Sequence, residues 1–260
     1  MEHGILGLMR RIVLGMSIGF YTLIFGMLAI LGCLVIPNGN PLVWFARPWA
    51  WCILRTSRVT VHTRGREKLG HGGPFIYITN HQSYFDVPAL ISALPGQYRV
   101  IAKQGLFKIP VFGWALSLAG FIKIDRTDRE KSLRSLQTAA AKIRSGTSIV
   151  VFAEGTRSPD GQLQPFKKGG FILAINSGCP LVPISISGSR AVLPKNTLDI
   201  APGPIDVVIG NPIPTTDHGY QSRNQLIREV REAIETGFTP LRSRDLQDRP
   251  SRPVRAAAPR

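Results

Sequence analysis

Of the five histidines in the chain, His81 has a carboxylate five residues further on, Asp86. A histidine and a carboxylate held together make a general base. The carboxylate accepts one ring N–H and fixes the tautomer, and the other ring nitrogen is free to take a proton from a hydroxyl nucleophile. The pair works only if the chain turns back between the two residues. Residues 75–79 read as a strand and 87–94 as a helix, so His81 and Asp86 are expected at a strand–turn–helix junction, where α/β proteins place reactive groups. A plainer alternative makes Asp86 a helix N-cap and His81 a loop residue without a task.

A second cluster, Glu154-Gly155-Thr156-Arg157-Ser158, follows the apolar run 148–152. Glycine frees the backbone, Thr156 offers a hydroxyl, and the planar fork of Arg157 suits phosphate. Lys167-Lys168-Gly169-Gly170 opens a further helix whose free N–H groups favour an anion. Gly120 and Asp125-Arg126 bracket a third apolar run, 121–124. Each of these, taken singly, reads as an ordinary polar loop.

The elements that must carry these groups alternate. Strands are expected at 60–63, 75–79, 98–102, 121–124, 148–152, 181–187 and 205–209. Amphipathic helices are expected at 129–143, with Leu133, Leu136, Ala140 and Ile143 at spacings of three and four, and around 226–234. Such alternation predicts an α/β domain over residues 57–239. From 240 to 260 the chain holds four prolines, six arginines and two aspartates without hydrophobic periodicity, and reads as a disordered basic tail.

His81-x4-Asp86, the run 120–126 (GFIKIDR), the run 152–158 (FAEGTRS) and the run 181–185 (LVPIS) occur in this order, each at or on an apolar strand. Together they resemble the glycerolipid acyltransferase family, most of all the bacterial 1-acyl-sn-glycerol-3-phosphate acyltransferases, over roughly residues 74–214. The resemblance implies a single α/β domain with a mixed sheet flanked by helices. The reaction it implies moves an acyl group from an acyl thioester to the free hydroxyl of lysophosphatidic acid. It makes His81 the general base and Asp86 its orienting partner, and Arg157 the principal phosphate ligand. Glu154, Gly155 and Thr156 shape the acceptor site, with Lys103 and Arg126 supporting it. Acyl-CoA or acyl carrier protein serves as donor substrate; no cofactor, metal or covalent acyl-enzyme is implied. Gly105 stands where many relatives have an acidic residue, and Lys123 interrupts a strand that is usually more apolar, so acceptor preference is left open. Glycerol 3-phosphate, another lysophospholipid and a lyso-aminolipid remain alternatives.

The N-terminal region fits the same picture. Residues 12–36 are 25 in number without a charge, enough for a helix of roughly 37 Å against a hydrocarbon core of about 30 Å. Two prolines and a glycine in 37–41 then break the run, and residues 42–54 carry Trp44, Trp49 and Trp51 beside Arg47. That is the composition of a segment at the lipid–water boundary. Residues 1–56 are therefore expected to attach the protein to a membrane, as a span or as a hairpin in one leaflet. A cleaved signal peptide and a buried core helix are the competing readings. The basic excess on the C-terminal flank, Arg47 to Lys68, places the domain on the cytoplasmic side, and the resemblance implies that the membrane is a bacterial inner membrane.

The net charge of +16 calls for anionic partners. Substrate phosphate and anionic membrane lipids account for it. Nucleic acid is not expected, because no nucleic-acid motif is present and basic residues do not interleave with aromatics outside the Trp-rich segment. A serine-hydrolase signature, Gly15-Met16-Ser17-Ile18-Gly19, lies within the apolar run, with no strand before it, and is read as accidental. Its Gly15 and Gly19 form a pair that can pack helices. Cys179 has no neighbour to activate it and reads as a small buried residue.

Overall fold

Apolar residues in the strands alternate between two faces, and each face is covered by helices. In the computed structural model, which describes residues 2–70, 72–125 and 129–240, seven strands form one mixed sheet. They are β1 (Val59–Arg64), β2 (Ile76–Thr79), β3 (Tyr98–Lys103), β4 (Ile122–Ile124), β5 (Ser148–Phe152), β6 (Leu181–Ser187) and β7 (Gly203–Ile209), in the order β1-β7-β6-β2-β5-β3-β4. Neighbours are parallel except β6 and β7, which are antiparallel. Five strands therefore point their carboxyl ends at the same sheet edge, and the central strand β2 places His81 there.

The helices are α1 (Glu2–Val35), α2 (Asn40–Thr56), α3 (Asp86–Ala93), α4 (Phe112–Leu118), α5 (Arg129–Arg144), α6 (Gly169–Ser177), α7 (Ser189–Val192) and α8 (Arg223–Gly237). Tyr77, Val150, Val182 and Ile184 meet α2 and α3 on one face of the sheet. Ile76, Ile78 and Ile149 meet α5, α6 and α8 on the other. With both faces covered, β2 and β6 are buried at every residue, which is why they read as continuous apolar runs rather than as alternating ones. The sheet, its mixed character and its flanking helices agree with the expected fold. Helix α4 was not foreseen: it has no charged residue, so no polar face marks its period.

The apolar N-terminal run is one helix, extended back to Glu2 and stopped before Pro37. Arg10 and Arg11 lie within it because the domain satisfies them. Arg11 pairs with Asp199, and Arg10 donates to the carbonyl of Ile200 at 3.2 Å. Further along, the Tyr21 hydroxyl bonds Thr56 Oγ1 at 3.0 Å and Trp49 Nε1 donates to Thr22 Oγ1 at 3.1 Å. Near its end, Gly32 faces Pro41 and Phe45 across the turn to α2. One side of α1 is thus docked along the protein, while Met9, Met16, Phe20, Leu23, Met27 and Leu34 are exposed on the other. Helix α1 is long and apolar enough to cross a membrane, with 11% of its most apolar window buried, so it is not a core helix.

Helix α2 starts behind Gly39, whose φ of 76° no branched residue adopts without strain. Val43, Ala50, Ile53 and Leu54 bury one side of α2 against the sheet, whereas Trp44 and Trp51 are exposed. Ser17 lies in mid-α1 with its hydroxyl donated back to Val13 O at 2.8 Å, far from any nucleophile elbow. A Cβ placed on Gly15 or Gly19 meets nothing within 4 Å, so that pair packs against nothing in the monomer.

Candidate active site

The turn after β2 brings His81 and Asp86 together. Asp86 is the first residue of α3 and fully buried, and its Oδ2 lies 2.7 Å from His81 Nδ1. The same oxygen accepts the backbone N–H groups of Gln82 at 2.7 Å and Ser83 at 2.9 Å. Asp86 thus clamps the loop in front of the helix, while Phe85 takes the N-cap position without a side-chain cap bond. Because the carboxylate accepts at Nδ1, that nitrogen carries the proton and Nε2 is the basic one. Among the described residues nothing is hydrogen-bonded to Nε2, and 16% of the side chain reaches solvent.

Strand β5 runs beside β2 with Phe152 opposite Thr79, so the 152–158 loop lies against the His81 loop. The Phe152 ring stacks on the imidazole with centroids 4.0 Å apart. Glu154 Oε1 accepts the His81 backbone N–H at 2.8 Å, and Ser158 N–H donates to the His81 carbonyl at 2.8 Å. Both backbone groups of the base are therefore held by the neighbouring loop. Gly155, at φ 72°, makes the bend that lets Glu154 point inward and Arg157 outward. On the other flank, buried Asn80 donates Nδ2 to Ile186 O at 2.8 Å and accepts Ile186 N–H at 2.7 Å, pinning the end of β2 to β6.

Glu154 is buried and, among the described residues, accepts two N–H donors, from His81 and Gln164. Burial is the main cause that pushes its carboxyl up, to about 7 from 4.5. The folded protein then holds this proton where the unfolded chain has released it, so Glu154 costs stability as pH rises from about 4.5 to 7. The loss is of the order of 3 kcal/mol at its limit. Glu154→Gln removes the titration. Its melting temperature, compared with that of the unsubstituted protein, should shift in favour of the glutamine variant between pH 5 and pH 8. A difference that does not change with pH would refute the assignment.

Arg157 is half-buried, with its guanidinium carbon 3.7 Å from the centroid of the Tyr84 ring and its carbonyl accepting Lys195 Nζ at 2.7 Å. That contact holds the guanidinium over the ring face and leaves N–H groups to bind an anion. Thr156 is exposed beside it. Lys103 is exposed at the carboxyl end of β3, two strands from β2 at the same sheet edge. Among the described residues it bonds neither His81 nor Arg157. Arg126 lies outside the described residues, as does the tail from 241 to 260. Cys179 is buried with its thiol on Pro74 O at 3.0 Å, and burial pushes the thiol up to about 11, which removes it as a nucleophile.

The structure brings together His81, Asp86, Glu154, Gly155 and Arg157. Sequence reasoning missed Tyr84 and Lys195 as the supports of Arg157, and the ring stack of Phe152. Tyr84 falls between the two residues of the base pair, where an exposed aromatic is a detectable signal; Lys195 has none.

A family model described as Acyltransferase matches residues 59–187, the stretch holding every one of these groups except Lys195. A 1-acyl-sn-glycerol-3-phosphate acyltransferase of Cocos nucifera is 30% identical over 228 residues, 80% of this chain and 74% of that protein. The chain belongs to the acyltransferase family. A chloroplastic 1-acyl-sn-glycerol-3-phosphate acyltransferase of Brassica napus is 40% identical to this acyltransferase-family chain over 141 residues, 54% of this chain and 41% of that one. With an Arabidopsis thaliana relative the match takes in 44% of the relative, so the chain spans less than half the length of these two. The crystal structure of the 1-acyl-sn-glycerophosphate acyltransferase of Thermotoga maritima superposes with a TM-score of 0.78 at 25% identity, covering 96% of this acyltransferase-family chain and 99% of that one.

Proposed function

We propose that the protein transfers an acyl group from an acyl thioester to the sn-2 hydroxyl of 1-acyl-glycerol 3-phosphate, giving phosphatidic acid for phospholipid synthesis. The observation that carries this is the His81–Asp86 pair at 2.7 Å, with a basic Nε2 and a stacked guanidinium at the same sheet edge. The hydroxyl oxygen attacks the thioester carbonyl while Nε2 takes the hydroxyl proton. The C–O bond forms, the C–S bond breaks, and the imidazolium returns the proton to the leaving thiolate. Asp86 stabilises the imidazolium in between. Arg157 holds the acceptor phosphate, Glu154, Gly155 and Thr156 shape the acceptor site, and Lys103 and Arg126 add positive charge. The donor is acyl-CoA or acyl carrier protein, and no cofactor takes part.

The test is transfer by the purified protein to lysophosphatidic acid, glycerol 3-phosphate, lysophosphatidylcholine and a lyso-aminolipid. Lysophosphatidic acid is expected to give the highest kcat/KM. Arg157→Ala should raise its KM about 10- to 100-fold, as the loss of charge-assisted hydrogen bonds worth about 1.5–3 kcal/mol requires. Transfer confined to acceptors without phosphate would overturn the reading.

We also propose that α1 lies in one leaflet, with the domain on the cytoplasmic side of a bacterial inner membrane and its basic flank on anionic lipid. The support is that α1 is docked along its length, so that a span would carry the Arg11–Asp199 pair into the bilayer with it. Flotation with vesicles containing anionic lipid should recover the protein, and alkaline carbonate should release part of it. Proteolytic access to the N-terminus from the far side of a sealed inverted vesicle would show a span instead.

A further inference from the structure

Between β6 and β7 the chain makes a turn that carries a lysine to the backbone of Arg157. Strand β6 runs into Gly188, where a Cβ would lie 2.4 Å from Pro204 O. Helix α7 then leads to Leu193, whose carbonyl accepts the Ser83 hydroxyl at 2.8 Å. Ser83 belongs to the loop between His81 and Asp86, so the segment is tied to the general base two residues before Lys195. The turn closes with Thr197 N–H on Pro194 O at 3.3 Å and with Asn196 at φ 64°, a left-handed conformation uncommon outside glycine. It presents Lys195, half-buried, whose Nζ donates to Arg157 O at 2.7 Å. An ammonium has three donors and no acceptor, so this bond leaves two of them for another partner. Among the described residues no carboxylate forms an ion pair with Arg157 or Lys195. The acids of the neighbouring segments are committed elsewhere. Asp86 serves His81, Glu154 the N–H groups of His81 and Gln164, Asp160 the Ser158 hydroxyl and Gln162 N–H, and Asp199 Arg11. Two cations thus meet at one loop, one held by a ring and one by a carbonyl, with no protein charge to balance them.

We propose that Lys195 is a specificity residue of the acceptor site and, together with Arg157, selects a phosphate monoester over a phosphodiester. The inference rests on the acyl-transfer reading above and says which acceptors that reading admits. A phosphate monoester carries about −1.5 to −2 charges at pH 7, its second pKa lying near 6. A diester carries about −1 at any such pH. The planar fork of Arg157 can take two oxygens of either. The further charge of the monoester sits on the oxygen that a diester has esterified, and the compact ammonium of Lys195 complements it. Half-burial makes that attraction stronger than at an open surface. A site so charged favours lysophosphatidic acid or glycerol 3-phosphate and discriminates against lysophosphatidylcholine, whose phosphate is already substituted.

The test compares lysophosphatidic acid with its methyl phosphodiester, which has the same acyl chain and glycerol and one charge fewer. Both are presented in mixed micelles of an uncharged detergent between pH 5 and pH 8. They are measured as acceptors, by kcat/KM, and as ligands bound without donor. The proteins are the full chain and its variants Lys195→Met, Lys195→Gln, Lys195→Arg and Lys103→Met. The unsubstituted protein should favour the monoester by about tenfold or more at pH 8. Most of that preference should vanish below about pH 6, where the monoester takes up its second proton. Taking the ratio of the two acceptors cancels the titrations of His81 and Glu154, which both share. Lys195→Met and Lys195→Gln should each cost the monoester about tenfold more than the diester. Lys195→Arg should keep the preference, and Lys103→Met should lower both acceptors together. Glutamine still offers a donor to the Arg157 carbonyl, so that variant is expected to fold and reports the charge rather than the placing of the loop. Equal losses on both acceptors would reduce Lys195 to a prop for Arg157. A preference that ignores pH, or survives both neutral variants, would remove Lys195 from the selection, and a preference lost only in Lys103→Met would pass the role to Lys103; each of these overturns the proposal. Charge-selective binding that depends on Lys195, in a protein that transfers nothing, would sustain this assignment and sink the proposed reaction. Transfer to both acceptors without preference would do the reverse.

Discussion

His81→Ala is expected to lower acyl transfer by about 10²–10⁴-fold, the contribution of a positioned general base, and to leave the fold in place. The ring is replaceable structurally because the backbone around it is held by other groups. Its N–H donates to Glu154 and its carbonyl accepts the Ser158 N–H, and neither bond uses an imidazole atom. What the substitution removes is the proton acceptor at Nε2 and the stack on Phe152. The check is kcat against KM for lysophosphatidic acid, alongside the melting temperature. The drop should fall on kcat, with melting close to that of the unsubstituted protein. Undiminished turnover would end the mechanism, and a collapse of melting would show that the ring is structural.

Asp86→Asn is expected to reduce kcat nearly as far, again within about 10²–10⁴-fold, by a different route. One carboxylate oxygen receives three donors, His81 Nδ1–H and the backbone N–H groups of Gln82 and Ser83. An asparagine oxygen in that place can still accept them but carries no charge to stabilise an imidazolium. If the amide nitrogen takes the place instead, the imidazole must adopt the wrong tautomer. Asp86→Ala separates catalysis from structure, because it also strands two buried backbone donors at about 1–3 kcal/mol each. The alanine variant should therefore melt well below the asparagine variant while both are nearly inactive. An asparagine variant with normal kcat would reduce Asp86 to a loop clamp.

Much of the site was visible in the sequence because its parts sit where local patterns change. The strand β2 is recognisable from its apolar run, so His81 could be placed at its carboxyl end, and the start of α3 placed Asp86 one turn away. The same reasoning put Glu154 and Arg157 just past β5. Helix α4 escaped because seven residues without a charge show no period. The charge-free run 12–36 did not show that its helix continues back to Glu2, because the partners of Arg10 and Arg11, Ile200 and Asp199, lie far along the chain.

By itself the sequence determined which side chains fall at which elements: a histidine and a carboxylate at a strand–helix turn, a guanidinium beyond a second strand, and an apolar helix ahead of an α/β domain. Face alternation and turn signals are local, so a single sequence displays them. Tertiary structure alone decided which loops meet. Glu154 supports His81 across 73 positions and Ile186 holds Asn80 across 106, because β5 and β6 insert on either side of β2. Strand order is set by how the whole apolar surface is buried at once, and no local pattern records it. The stack of Phe152 on His81 has the same origin, because the parallel register of β5 beside β2 sets that ring against the imidazole.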